Sequence, residues 1–182
     1  MTVEEKQLID KPADIREGEE LDLKVLKEYL TSNISGLSGE ISAKQFPSGF
    51  SNLTYLLTLG DRRWVLRRPP FGSKVKGAHD MGREYKVLDK LNSVFPYATR
   101  PEIFCQDNDV LGCDFYMIDY LEGMIIRNEY PSGLQLSDEQ VRQQFFNWVD
   151  VLSELHNVDY DAIGLSELAL IRKAPYARSF VK

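Results

Sequence analysis

Leu53-Thr54-Tyr55-Leu56-Leu57-Thr58-Leu59-Gly60-Asp61-Arg62-Arg63-Trp64-Val65-Leu66-Arg67-Arg68 is the stretch on which the fold turns. The run Leu53 to Leu59 is rich in apolar and β-branched residues and reads as a strand. Gly60-Asp61 supplies a tight turn, and Trp64 to Arg67 reads as the returning strand. Pro69-Pro70 and Gly72 end it, because proline has no N–H to give to a ladder. Upstream, Ile41 to Phe46 reads as a strand preceding this pair. Before it, Leu21 to Leu30 places Leu23, Leu26 and Leu30 on one helical face, ended by Ser35-Gly36 and Ser38-Gly39.

Downstream, the period becomes helical from Ala78 to Phe95. Met81, Tyr85, Leu88 and Leu91 form one stripe, with Glu84 beside it. Pro101 opens a strand over Glu102 to Gln106, and an Asp107-Asn108-Asp109 turn leads back into Phe115 to Ile118. After Gly123 the chain changes character. Ser137-Asp138-Glu139-Gln140 is a capping box, opening a helix to about His156 with an apolar stripe of Val141, Phe145, Trp148 or Val149, Leu152 and Leu155. Five strands with a helix after the third, then helices, predict an α+β lobe joined to a second lobe near residues 119–123.

Composition narrows the function classes. A chain of 182 residues can bury roughly 70% of its unfolded surface and needs no disulfide or metal staple. Its net charge of -6 argues against general nucleic-acid binding, which requires a basic surface. The two cysteines, Cys105 and Cys113, form no CxxC pair and are expected as small apolar residues on neighbouring strands in a reducing compartment. Residues 1–20 are polar and acidic, without a secretory or transit pattern, and are expected as a loosely ordered lead-in. No apolar stretch approaches a bilayer's span, so no membrane partner is expected and the predicted location is the cytoplasm.

Three features bear on chemistry. Pro47-Ser48-Gly49-Phe50-Ser51-Asn52 joins two strands. Its small residues would let backbone N–H groups approach phosphate oxygens, though the same residues also suit an ordinary hairpin turn. Arg67 emerges among apolar strand positions and calls for a partner. Glu84 is the natural one, against the alternative of a guanidinium reaching solvent. Arg62, Arg63, Arg67, Arg68, Lys74 and Lys76 concentrate positive charge, as a solvated face or as a field suited to a polyphosphate.

The order of these parts, a glycine loop, a cation on the third strand and a Glu on the next helix, matches the phosphate-gripping arrangement of protein kinases. Gly49-Phe50-Ser51-Asn52-Leu53-Thr54-Tyr55, Val65-Leu66-Arg67-Arg68-Pro69-Pro70 and Arg83-Glu84-Tyr85-Lys86-Val87-Leu88 resemble the aminoglycoside-phosphotransferase and choline-kinase-like family. Phe115 to Gly123 resembles its interlobe hinge, and Leu152 to Asp159 its first large-lobe helix and exit. The Arg-Arg-Pro-Pro form resembles the branch of kinase-like domains fused to acyl-CoA dehydrogenases. The resemblance runs from about residue 40 to the C-terminus.

It implies a kinase-like N-lobe over 21–118, a five-stranded antiparallel sheet plus helix, then a hinge at 119–123 and the start of an incomplete helical C-lobe over 124–182. It also implies ATP as the nucleotide. Ser51, Asn52 and Thr54 would lie over its phosphates. Arg67, where the family more widely has Lys, would contact them and pair with Glu84. Ile118 would stand behind the adenine, and the backbone of Asp119 and Leu121 would bond its edge.

In-line phosphoryl transfer also needs a base and Mg²⁺ ligands. The family carries them on a His-x-Asp-x-x-x-x-Asn type loop and a later Asp, in its second lobe. Neither histidine here begins that motif: His79 is followed by Asp80-Met81, and His156 by Asn157-Val158. His79 is expected as a helix-start residue and His156 as a core or capping residue, while Asp159 and Asp161 fall in a linker. No catalytic or metal-ligating residue is therefore assigned.

The expectation is an ATP-binding part of a small-molecule phosphotransferase, truncated and inactive alone. The alternative is a non-catalytic binding or scaffold module that self-associates through the unfinished lobe. The acceptor is left open among an antibiotic, a choline-like alcohol and a hydroxyacyl thioester, with the resemblance leaning toward the last.

Overall fold

The computed structural model describes residues 11–47, 52–72, 79–126, 129–131 and 133–168. Five strands, β1 Ile41–Gln45, β2 Leu53–Leu59, β3 Arg62–Arg68, β4 Pro101–Cys105 and β5 Phe115–Asp119, form one sheet in the order β1-β2-β3-β5-β4. Every neighbouring pair is antiparallel. The helices are α1 Leu23–Asn33, α2 Met81–Asn92, the single turn α3 Asn108–Leu111 and α4 Asp138–His156. The predicted α+β lobe, with its helix inserted after the third strand, is the observed one.

Strand parity separates two faces. Tyr55, Leu57 and Leu59 on β2, Trp64 and Leu66 on β3, and Phe115 and Met117 on β5 join Leu26 and Leu30 of α1 in the buried core. Each such large apolar side chain contributes about 1.5–3 kcal/mol by leaving water. The opposite parity, which includes Arg67 and Tyr116, meets α2, the helix that packs over β4 and β5. Asp22 caps α1 by accepting from the Lys24 and Val25 amides. Asp80 caps α2 by accepting from Arg83 N–H at 2.8 Å.

Three expectations need correction. Residues 13–19 are not a loose lead-in: Ala13 exchanges both backbone bonds with Gln45 at 2.8 and 2.9 Å. The buried Gln45 side chain accepts from Arg16 N–H and donates to the Glu19 carboxylate, while Tyr55 Oη donates to the Glu19 carbonyl. That Gln45 bond holds the Glu19 carboxyl below its ordinary pKa. Cys113 is not on a strand. It lies in the connection that follows α3, which closes at Gly112 with φ 74°. Only Cys105 ends a strand, where it is buried.

The basic run is not one field either. Arg62 pairs with Glu102 at 3.1 Å, Arg63 with Glu122 at 3.3 Å, and Arg68 is buried with its guanidinium 3.7 Å from the Phe71 ring centre. Lys74 and Lys76 lie outside the described residues.

The predicted capping box of α4 forms at both ends, with Ser137 and Gln140 bonded to each other's backbones. Its apolar stripe, however, is not covered among the described residues: α4 has no buried residue, Val141 and Leu155 are half-buried, and Phe145 and Trp148 are 61% and 64% exposed. Asp159 accepts from the Asp161 and Ala162 amides, a turn-forming role in the linker after that helix. Among the described residues no helix is long and apolar enough to cross a membrane.

The β2–β3 turn depends on Gly60, which has φ 57° and lies against the backbone of residues 38 and 39. A Cβ there would run into the Ser38 carbonyl oxygen, and one on Gly39 would come within 2.8 Å of Gly60 Cα. Gly60→Ala should therefore destabilise the lobe by about 1–3 kcal/mol through backbone strain and steric displacement. Urea unfolding would measure this as a lower midpoint at unchanged slope. Wild-type stability in Gly60→Ala would contradict this packing.

Candidate functional site

Arg67 lies near the end of β3, on the face turned to α2. The ladders place Thr54 of β2 opposite it on one side and Tyr116 of β5 on the other. The Asp80 cap sets the start of α2, so Glu84 comes down over this row from the helix's first turn. Arg67 Nη1 lies 3.1 Å from Glu84 Oε2, so the ion pair expected from the sequence is present. Both side chains are about one-third exposed, at 33% and 34%. An ion pair that open contributes of order 1 kcal/mol or less by itself.

Buried neutral groups complete the arrangement. Tyr116 Oη donates to Glu84 Oε2 at 2.8 Å and accepts from Arg67 Nη1 at 3.0 Å. Asn52 Nδ2 donates to Glu84 Oε1 at 3.0 Å, and Asn52 Oδ1 meets His79 Nδ1 at 2.8 Å. Tyr116 is fully buried and Asn52 is 5% exposed. Burial, then the bond to Glu84, pushes the Tyr116 hydroxyl well above the usual tyrosine pKa, so it remains a donor. Arg67, Glu84 and Tyr116, with Asp80, Arg83, Val87 and Leu88, line an open cleft of about 450 Å³.

The structure thus brings together Asn52, Arg67 and Glu84, with Thr54 in register beside Arg67. Ser51 lies outside the described residues. Ile118 is on the same side of β5 as Tyr116 and is half-buried, but it does not line the cleft. Asp119 ends β5, giving its N–H to Arg100 O at 2.9 Å and accepting from Arg100 Nε at 3.0 Å. Leu121 is 67% exposed beyond the strand.

Two members of the network were missed. Tyr116 was readable from parity, since it alternates with Ile118 along β5. His79 gave no such signal, and its position shows only once Asn52 is folded against it. Among the described residues no group of three or more His, Cys, Asp and Glu side chains stands together to hold a metal.

A five-stranded antiparallel lobe with an Arg–Glu pair between its third strand and the following helix defines a kinase-like phosphotransferase fold. Residues 42–179 match the phosphotransferase enzyme family (APH), and the chain belongs to that family. A solved structure from Ralstonia eutropha, assigned to the aminoglycoside phosphotransferases, superposes with a TM-score of 0.67 at 28% identity, covering 81% of this chain and 42% of that one.

Among curated proteins, acyl-CoA dehydrogenase family member 11 of Homo sapiens is 30% identical over 157 residues, 84% of this chain. Acyl-CoA dehydrogenase family member 10 of Mus musculus is 33% identical over 142 residues, 77% of this chain. The chain spans 20% and 13% of the lengths of these two relatives.

Alkaline pH should loosen the fold through the buried Tyr55 and Tyr116 and the half-buried Tyr85. Burial raises Tyr55 to about 12, and raises Tyr116 and Tyr85 above the ordinary value of 10.0. The unfolded chain then loses these protons first, so stability is full below pH 10 and falls as pH rises toward the folded values. Tyrosinate absorbance followed alongside unfolding free energy checks this; stability that stays level from pH 9 to 12 (roughly the interval between unfolded and folded titration) would refute it.

Proposed function

We propose that this chain is the ATP-binding part of an enzyme that transfers the γ-phosphate to a small-molecule hydroxyl. The observation that carries the proposal is the anchoring of Arg67. Among the described residues its polar contacts all fall on Nη1, which is held by Glu84 and Tyr116 at the edge of the cleft. The rest of the guanidinium fork is then available for phosphate oxygens, to which a planar arginine gives paired bonds where a lysine would act as a point charge.

Ser51, Asn52 and Thr54 would add donors over the phosphates. The segment 119–123 would be the hinge, joining the lobe of residues 21–118 to the start of a helical lobe. Ile118 would back the adenine there. Because the Asp119 N–H is already donated to Arg100, its part in an adenine contact would fall to the carbonyl oxygen, with Leu121 supplying the N–H.

Among the described residues no group of three or more His, Cys, Asp and Glu side chains could hold Mg²⁺, whose ligands the family resemblance places in the second lobe. The sequence likewise lacks a His-x-Asp-x-x-x-x-Asn loop. The proposed role of this chain is accordingly to hold and orient the nucleotide. A hydroxyacyl thioester is the acceptor class favoured by the likeness to acyl-CoA dehydrogenase family members.

Calorimetric titration with ATP, with and without MgCl₂, tests the proposal. Wild-type protein should give a saturable heat, and Arg67→Ala should weaken it by roughly tenfold or more, the scale of a lost charge-assisted bond. No heat, or equal heats for both proteins, would sink nucleotide binding at this cleft.

A second role has its own support. Phe145, Phe146 and Trp148 are exposed on α4, and Met124, Ile126, Tyr130, Gln144, Phe145 and Trp148 line a further cleft of about 470 Å³. An apolar surface of this kind favours association. A scaffold role through self-association predicts a light-scattering mass above that of one chain, reduced to one chain by Trp148→Glu. A monomer at all concentrations would rule out that role.

A further inference from the structure

The Glu84 carboxylate is held from three different elements. Asn52, just before β2, reaches Oε1, while Tyr116 on β5 and Arg67 on β3 both reach Oε2. Of these contacts, the ion pair is the least able to hold a geometry by itself. Arg67 and Glu84 are long side chains, one-third exposed, and the cost of ordering them offsets most of their attraction. Asn52 and Tyr116 are shorter or stiffer and are buried, so little freedom remains for them to lose.

The Asn52 amide is itself oriented. Its NH₂ donates to Glu84, a carboxylate that only accepts, and its oxygen therefore faces His79 Nδ1. Turning the amide over would set an oxygen against the carboxylate. One Nδ2–H and the oxygen are used within the protein, so the side chain is held in the network whether or not a phosphate is present.

We propose that Asn52 is a positioning residue, bonded at its other end to His79, which with Tyr116 fixes Glu84 and through it aims the Arg67 guanidinium. This role stands beside the phosphate contact expected from the sequence and rests on the proposed binding of ATP at Arg67. Asn52 directly follows Gly49-Phe50-Ser51, so the end of the glycine loop and the aim of Arg67 are linked by one side chain. Tyr116 makes the second fixed point, opposite Arg67 across the β3–β5 ladder.

Two measurements on this same chain test the proposal, with circular dichroism confirming that each variant is folded. The first needs no nucleotide. NMR of isotope-labelled arginine should show the Arg67 guanidinium rotating slowly about its Nε–Cζ bond in wild type. It should rotate freely in Asn52→Ala, Asn52→Asp, Tyr116→Phe and Glu84→Ala. An Arg67 signal unmoved by both Asn52 variants would overturn the coupling, whatever the chain binds.

The second is a double-mutant cycle on ATP affinity. Asn52→Ala should weaken binding by about tenfold, the scale of one lost bond to a charged group, but should add nothing once Glu84→Ala is present. Losses that multiply independently would return Asn52 to the phosphates and overturn the positioning role. If wild type binds no ATP, the nucleotide proposal fails, and the arginine spectrum still decides whether Asn52 holds Arg67.

Discussion

A carboxylate one-third exposed at the start of a helix holds this lobe's functional geometry together. Glu84 receives hydrogen bonds from groups at the start of β2, near the end of β3 and within β5, while belonging to α2. Backbone ladders fix the strands relative to one another, but they do not place a helix across a sheet. Apolar packing does that loosely, because a hydrophobic contact has no direction. The bonds to Glu84 have direction, and they set where α2 stands over Arg67. Tyr85 adds to the same seating by stacking on Phe104 with ring centres 5.4 Å apart.

The two faces of the sheet divide the work. One face is a closed apolar core under α1, bounded by the segment 13–19 that Gln45 and Tyr55 tie to the sheet. The other carries Arg67, Tyr116 and the cleft beneath α2. Stability is thereby concentrated where no ligand is proposed to enter. The polar network on the second face stands on a sheet already held in place from behind. A polar network specifies geometry best where its buried members are satisfied, and the buried Asn52 and Tyr116 side chains are bonded within the protein.

Much of the fold was legible because period and turn chemistry act locally. The alternation over Leu53 to Leu59, the Gly60-Asp61 turn and the Ser137–Gln140 capping box each depend on residues a few positions apart, and each is found as expected. The Arg67–Glu84 pair was legible too, since a cation among apolar strand positions and a carboxylate beside a helix stripe call for each other. The order of the segment 13–19 was not. Nothing polar and acidic in a sequence announces that a glutamine thirty positions away will bind it. The basic run also misled, because neighbouring arginines on a strand point to opposite faces and find different carboxylates.

What the sequence determined by itself was therefore the succession of elements, the family, and the two charged residues that face each other across the cleft. These follow from local periodicity and from residue types that cannot be buried alone. Only the tertiary structure decided which neutral groups hold that pair. Asn52, His79 and Tyr116 are far apart along the chain; Asn52 and Tyr116 meet Glu84, and His79 meets Asn52, because strand pairing and the seating of α2 bring each within 3.0 Å of its partner. Hydrogen bonds are short-ranged and directional, so their partners are fixed by the assembled backbone and not by spacing in the sequence.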